Sequence, residues 1–397
     1  MSTLISVVIN AELSLKGYVA IDSTVNGRSY GGVRIASDLS PANLTELARV
    51  MTLKYGFLGF PCGGAKAGIV ANPEMPIKEK RELLKSFGQA LRPLLLTKSY
   101  NAGVDLALSK DDIRFMLTSN GIKVEPRTLT WETGFYAGLT VFTAAVKGAQ
   151  HIGLDLNQAS VAIEGFGSVG STVAQAFWDK GMRVVAISTN QGAIYSEKGL
   201  DIGELIKLSN QVGSRVVKVY KGADQIEMEE LLELDADFLC PCADLHSITV
   251  DNANRVAARV ISPGANAPIT AEAEQILFKK GILSIPDFVA NCGGVLGTSM
   301  KRTGLKEDFI KRFINKRFGQ RVIEVIEAAE EKGVIPRIYA QGIAMEKFLM
   351  VKEEAEMRNI TNRVFNFALE LYRKGIIPYY FVTPVAPRYF GRKLDYR

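Results

Sequence analysis

Three residues in the first third of the chain could share a proton: Lys54, Lys66 twelve positions later, and Asp105, thirty-nine beyond Lys66. Lys66 stands behind a double glycine, Gly63 and Gly64, in the largely apolar stretch GFPCGGAKAGI at residues 59–69. An ammonium is costly to keep dry, so a lysine in that setting needs a reason. Two lysines drawn into one apolar cleft repel, which lowers the pKa of at least one and makes a neutral amine accessible near pH 7. Such an amine is a general base, and the lysine that keeps its proton is an anchor for a carboxylate. Asp105 then shuttles protons or balances the remaining charge. A plainer reading stays open, in which Lys66 snorkels from a glycine turn and Asp105 caps a neighbouring helix.

A second set of residues points to a dinucleotide. GFGSVG places Gly165, Gly167 and Gly170 at the G-x-G-x-x-G spacing, with Ser168 and Val169 between them, directly after an apolar β-run and at the opening of a helix. The glycines serve a tight turn, close approach of backbone to a pyrophosphate and close helix-to-strand packing, and the helix N-terminus favours the phosphate charge. The next β-run ends in Ser188, Thr189 and Asn190, with no carboxylate where NAD-binding turns place one on the ribose. That tip permits NADP without requiring it, so the cofactor expected is NADP or NAD.

Elements must position these residues. Residues 1–35 carry period-2 stretches, ISVVI and YVAID, with VNGRSYGG as a turn between extended segments. SPANLTELARVMTLKYGF opens on Ser and Pro as a helix start and holds Lys54 near its end. The signature stretch reads as strand to loop, and PIKEKRELLKSFGQALRPLLL as one amphipathic helix. NAGVDLA reads as a strand end carrying Asp105, followed by a capping box at Ser109 and Asp112. From about residue 128 a second α/β pattern runs through ADFLCP, ARVISPGAN and GILSIPDFVAN, which predicts a parallel sheet with its carboxyl ends at a cleft. Beyond residue 299 the chain is helical and charged.

Composition bounds the function classes. At 397 residues there is material for two or three domains, and the formal charge of +6 is spread among interleaved acids and bases, which argues against a nucleic-acid surface. Cys62, Cys240, Cys242 and Cys292 lack metal-site spacing and His151 and His246 are the only histidines, so neither a metal centre nor a disulfide framework is expected. No apolar run approaches the ~18 residues of a membrane span. The N-terminus lacks a basic leader, and cytoplasm is the default expectation. Trp131 and Trp178 are expected in the core, Cys62 and Cys292 as packing, and His246 near the nicotinamide without a chemical role.

Taken in order along the chain, these segments resemble the glutamate, leucine, phenylalanine and valine dehydrogenase family. MTLKYGFLGFPCGGAKAGI is similar to its paired-lysine segment, AGVDLALSKDDI to the segment with its catalytic aspartate, and WETGFYAGLTVFTAA to its threonine-glycine helix start at Thr133 and Gly134. SPGANAPITAEAEQILFKKGILSIPDFVANCGGV resembles the nicotinamide-side segment, with Asn266 and Asn291 in position. The match runs from about residue 25 to residue 300. The resemblance implies an α/β substrate and oligomerisation domain at residues 1–127, a Rossmann-type doubly wound domain at 128–335, and a helical segment at 336–397 returning toward the first. It implies reversible oxidative deamination of an L-amino acid to a 2-oxo acid and ammonia, with hydride passing to the nicotinamide. Lys54 would hold the α-carboxylate, Lys66 would activate water, and Asp105 would exchange protons with the amino group. A homo-oligomer is implied.

Three departures bear on that transfer. Tyr30 stands where glutamate-acting relatives carry a lysine for the side-chain carboxylate, whereas Thr298 stands where they carry a serine. PGAN replaces EGAN, and ADLH replaces ALEN at residues 243–246. The N-terminal region is short and the tail unusual, leaving subunit number open. A neutral or aromatic side chain and glutamate thus compete as substrate. A nucleotide-binding regulator that kept the fold without catalysis is the alternative, opposed by the cost of keeping dry charges.

Overall fold

The computed structural model describes residues 3–124, 133–157, 159–357 and 360–395. The alternating N-terminal run forms β1 (Leu4–Asn10), β2 (Leu15–Ile21) and β3 (Ser29–Ala36). With β4 (Gly63–Val70) and β5 (Asn101–Val104) they make a five-stranded sheet of order β1-β2-β4-β3-β5. β2 pairs antiparallel with β1 and β4, while β3 runs parallel to β4 and β5. Two expectations change. The turn is confined to Val25–Arg28, where a small bridge closes it, and the signature stretch is itself a strand, because it is hydrogen-bonded on both sides.

Helix α1 (Pro41–Leu58) starts as its sequence requires, with Ser40 accepting from the N–H of Asn43 and Pro41 at the first position. The expected single helix from Pro76 to Leu96 is two: α2 (Ile77–Ala90) and the one-turn α3 (Arg92–Leu96). Pro93 has no N–H to give to the turn behind it, and its ring disfavours helical backbone in the preceding residue. α4 (Lys110–Thr118) carries the capping box at Ser109 and Asp112.

The pleat divides the sheet into two faces. Val33 and Ile35 of β3 with Ala65, Ala67 and Ile69 of β4 pack against Leu84 and Phe87 of α2 and Ile113 and Met116 of α4. The even-numbered residues of β4 look the other way, toward α1: a Cβ on Gly64 would fall 2.3 Å from the Thr52 nitrogen. Lys66 therefore emerges on the α1 side.

In the second unit the sheet order is β12-β11-β10-β6-β7-β8-β9. Its strands are β6 (Ser160–Glu164), β7 (Arg183–Thr189), β8 (Gly192–Tyr195), β9 (Asp224–Ile226), β10 (Phe238–Pro241), β11 (Val260–Ile261) and β12 (Leu283–Ser284). β6, β7, β10, β11 and β12 are parallel, but β8 and β9 are antiparallel, which corrects the expectation of an all-parallel sheet. A parallel return needs a crossover of a dozen residues or so, and only Asn190 and Gln191 separate β7 from β8. The order reverses beside β6, the switch point at which such sheets bind ligands.

Helices α5 (Thr133–His151) and α6 (Ser168–Trp178) flank this sheet. Trp178 is 43% exposed, contrary to its expected core position; Phe177 beside it fills that core and turns the indole outward. Trp131 lies outside the described residues. Residues 1–131 and 343–387 form one compact unit, and residues 132–342 and 388–395 the other. The division falls inside the helix Pro336–Glu356, and the tail is shared between the units. No helix among the described residues is long and apolar enough to cross a membrane.

The sheet of the first unit depends on close strand approach at Gly31, where a Cβ would stand 1.6 Å from the carbonyl oxygen of Ala65. Gly31→Ala is expected to destabilise this unit by about 3 kcal/mol, read as a lowered urea midpoint with the slope of the transition kept.

Candidate active site

Lys66 lies on β4, Arg34 on β3, and Asp105 one residue past the end of β5. The registers place Val33 opposite both Ala67 and Val104, so Lys66, Arg34 and Asp105 flank those pairs on the same face. Lys66 Nζ is 2.8 Å and Arg34 Nε 2.7 Å from the same oxygen, Asp105 Oδ2. The side chains are 3%, 11% and 17% exposed, respectively. Gly32 makes the approach possible, because a Cβ there would be 2.6 Å from the Asp105 Cβ.

Burial lowers the Lys66 pKa, and Arg34 adds to the effect; Asp105 opposes both without overcoming them. For Asp105 burial works against ionisation, but Lys66 and Arg34 together hold its carboxyl well below the usual carboxylate range. The Tyr100 phenol, pushed up by burial and then by Asp105, stays protonated and donates to the Gly31 carbonyl at 3.1 Å. Burial thus makes the Lys66 ammonium easier to deprotonate than a solvated lysine, with ionised Asp105 within hydrogen-bond distance of it.

Arg34 was missing from the sequence-based set. Its signal was present: in GGVR it follows Gly32 by two positions, and that spacing on a strand returns a side chain to the same face. The cation that structure sets against Lys66 and Asp105 is thus an arginine of the same sheet. Lys54 is buried near the end of α1, just before its last turn. Tyr30 sits opposite Gly64 in the β3–β4 register, its ring meeting that of Tyr55 edge-on with centroids 6.5 Å apart. Gly63 and Gly64 are limited by packing, since a Cβ on Gly63 would stand 2.1 Å from the Ser23 carbonyl oxygen.

The second unit assembles the glycine turn. Gly165 has φ +90° and Gly170 would, with a Cβ, lie 1.8 Å from the Gly165 oxygen. Gly167 has nothing within 4 Å of its missing Cβ, and no side chain caps the start of α6. Open space in front of uncapped N–H groups fits a pyrophosphate. Ser188 is engaged beneath this turn, its hydroxyl accepting from Gly165 N at 2.9 Å. Thr189 donates to the Ser214 carbonyl and accepts from Gln191 N. Thr133 opens α5 beside Gly134, whose absent Cβ would meet the Ser168 hydroxyl at 2.0 Å.

Gly264 of the PGAN loop approaches Val169, and Asn291 donates to the carbonyls of Gly264 and Ala265 and to Asn266 Oδ1. That loop turns at Ala267, φ +47°, whose N–H is held by Asp287 Oδ2. Asp287 in turn pairs with Arg337 Nη1 at 2.7 Å. Thr298 is buried in the helix Gly293–Lys301, its hydroxyl donating to the Gly294 carbonyl.

A doubly wound unit with a phosphate turn, in one chain with a unit that keeps a lysine dry against an aspartate, defines a nicotinamide-dependent oxidoreductase of α/β architecture. Residues 134–358 match the Glutamate/Leucine/Phenylalanine/Valine dehydrogenase model, and residues 6–146 match the Glu/Leu/Phe/Val dehydrogenase dimerisation domain. A glutamate dehydrogenase of Thermotoga maritima is 31% identical over 297 residues, and an NAD-specific glutamate dehydrogenase of Staphylococcus aureus is 33% identical over 292, each covering 70% of both chains. The hetero-hexameric glutamate dehydrogenase from Thermus thermophilus, in its Leu-bound form, superposes with a TM-score of 0.75 at 26% identity over 90% of each chain. The L-tryptophan dehydrogenase from Nostoc punctiforme shares the fold, with a TM-score of 0.59 at 23% identity over 88% of this chain and 96% of that one. The chain belongs to the glutamate/leucine/phenylalanine/valine dehydrogenase family. It is an amino-acid dehydrogenase acting on CH–NH2 donors with a nicotinamide cofactor.

Glu164, at the end of β6 just before the glycine turn, adds a titration of its own. Burial pushes its carboxyl up to about 7, Asp244 adds to the shift and a hydrogen bond from Ser247 opposes it. A carboxyl raised in the folded state contributes stability below its ordinary pKa of 4.5 that is lost as pH rises through about 7. Glu164→Gln is expected to melt higher than the wild type at pH 8 and close to it at pH 5, by calorimetry of the protein without cofactor.

Proposed function

We propose that Lys66 and Asp105 carry the deamination, with Lys54 as the anchor for the substrate α-carboxylate. The observation supporting this is the dry cluster of Lys66, Asp105 and Arg34, in which the amine gives up its proton readily and the carboxylate is ionised. Lys66 activates the water that attacks the imino carbon, and Asp105 exchanges protons with the amino group. Arg34 keeps Asp105 charged and Lys66 easily deprotonated. A bound nicotinamide would supply the acceptor for the hydride that leaves the substrate α-carbon. Thr133, Asn266 and Asn291 would orient it, and the turn from Gly165 to Gly170 with Ser168 and Val169 would hold the pyrophosphate. A non-catalytic regulator would retain no use for three dry charges.

For the cofactor, the β7 tip favours NADP. It offers no carboxylate to repel a 2′-phosphate, and Lys218 Nζ is 3.1 Å from where a Cβ of Gly192, paired with Thr189, would stand. Lys218→Ala is expected to weaken NADP about tenfold, as one charge-assisted contact of ~1.4 kcal/mol does, and to leave NAD unchanged in fluorescence titrations.

For the substrate, a neutral apolar or aromatic side chain fits best. Tyr30 and Tyr55 form an aromatic pair where a cation would be needed for glutamate, which would otherwise lose roughly 1.5–3 kcal/mol of charge-assisted bonding. Glutamate is the second reading, favoured by the names of the relatives and by Thr298 at a serine position. Assembly is proposed as a homo-oligomer through the first unit, where the edge strand β1 exposes Leu4, Ile5, Val7 and Ile9.

The test is absorbance of reduced cofactor with L-leucine, L-phenylalanine and L-glutamate. Turnover fastest with a neutral substrate is expected, and fastest turnover of glutamate overturns that choice. Lys66→Ala is expected to lose roughly 10²–10⁴-fold in kcat while binding cofactor normally; unchanged kcat refutes the assigned roles.

A further inference from the structure

A buried polar chain ties together the residues two positions before each of the two lysines and takes no part in the chemistry above. Gly64, two residues before Lys66, gives its N–H to Ser23 Oγ at 2.9 Å. Ser23 Oγ is 2.7 Å from Thr52 Oγ1, and Thr52, two residues before Lys54, donates to Asp22 Oδ2 at 2.5 Å. Donation therefore runs one way, from the Gly64 amide through two hydroxyls to a carboxylate, and each hydroxyl accepts one bond and gives one. The Gly64 carbonyl accepts from the backbone N–H groups of Asp22 and Ser23, so both polar atoms of that peptide are held. Asp22, Ser23 and Thr52 are buried, and Arg49 Nη1 reaches Asp22 at 3.5 Å from one turn earlier in α1.

Packing leaves this contact no slack, as Gly64 already meets α1 at Thr52 without a side chain. α1 is thus pinned to β4 two residues before each lysine. We propose that Asp22, Ser23 and Thr52 are positioning residues that fix the separation of Lys54 from Lys66, and with it the fit to an α-amino acid whose carboxylate and reacting carbon are one bond apart. A change in this chain shifts the anchor relative to the base and admits water beside Lys66. The inference rests on the roles proposed for the two lysines.

Thr52→Val keeps the shape and removes the donor, Thr52→Ser restores the hydroxyl, and Ile113→Val, on the opposite face of the sheet, controls for lost stability. The full chain is assayed with the fastest substrate among L-leucine, L-phenylalanine and L-glutamate, alongside Lys54→Ala and Lys66→Ala. Thr52→Val is expected to raise KM for the amino acid about tenfold and to move the acidic limb of the kcat/KM profile to higher pH, because a wetter Lys66 holds its proton longer. Cofactor affinity is expected to stay constant, and Thr52→Ser to restore both KM and the limb. If Thr52→Val does not fold, Ser23→Ala breaks the same chain at its centre. Wild-type KM and pH profile in these variants, or changes matched by Ile113→Val, overturn the positioning role. Wild-type turnover in Lys54→Ala and Lys66→Ala overturns the underlying reading, and the inference with it.

Discussion

Close approach of backbones is the constraint on which the first unit depends. Where Gly31, Gly32 and Gly64 lack side chains, β3 meets β4 and β5 with no space between them, and α1 meets β4. The face that carries Arg34, Lys66 and Asp105 is largely shielded from water, and in that environment each charge acts strongly on its neighbours. One carboxylate oxygen shared by two cations satisfies part of the cost of burial, and the remaining cost appears as an easily deprotonated lysine.

The second unit is suited to bind charge by another device. Its glycine turn leaves the start of α6 uncapped and unobstructed, so oriented N–H groups, rather than formal charges, are open to a phosphate. The contact between Asn266 and Asn291 is supported by a longer route. Arg337 holds Asp287, Asp287 holds Ala267 in left-handed backbone, and the loop so fixed presents Asn266 to Asn291. Burial lowers the tendency of Arg337 to stay charged, but Asp287 and Glu274 more than reverse this.

Much of this was legible in the residues. Ser40 with Pro41, and Ser109 with Asp112, announced helix starts because capping is a local hydrogen bond between residues three apart. The glycine turn was legible for the same reason. Strand spacing in GGVR puts Arg34 on one face with Gly32, but its partner Asp105 lies seventy-one residues away, and that pairing is not written locally. The break at Leu91, the antiparallel β8 and β9 and the outward Trp178 were likewise missed. The antiparallel strands follow from a short connection whose consequence is topological, the outward indole from Phe177 taking the core position, and the helix break from Pro93, a local signal.

The sequence by itself determined the local units and the inventory of chemical groups: the phosphate turn, the helix caps, the strand runs, and the lysines and aspartate in family order. Those follow from short-range sterics and hydrogen bonding, which amino-acid type and spacing specify directly. Only the tertiary structure decided which cation faces Lys66, how dry that face is, and that Ser188 supports the turn from beneath. These depend on strand register and interstrand distance, and a pKa responds to the field of everything nearby, whatever its place in the chain.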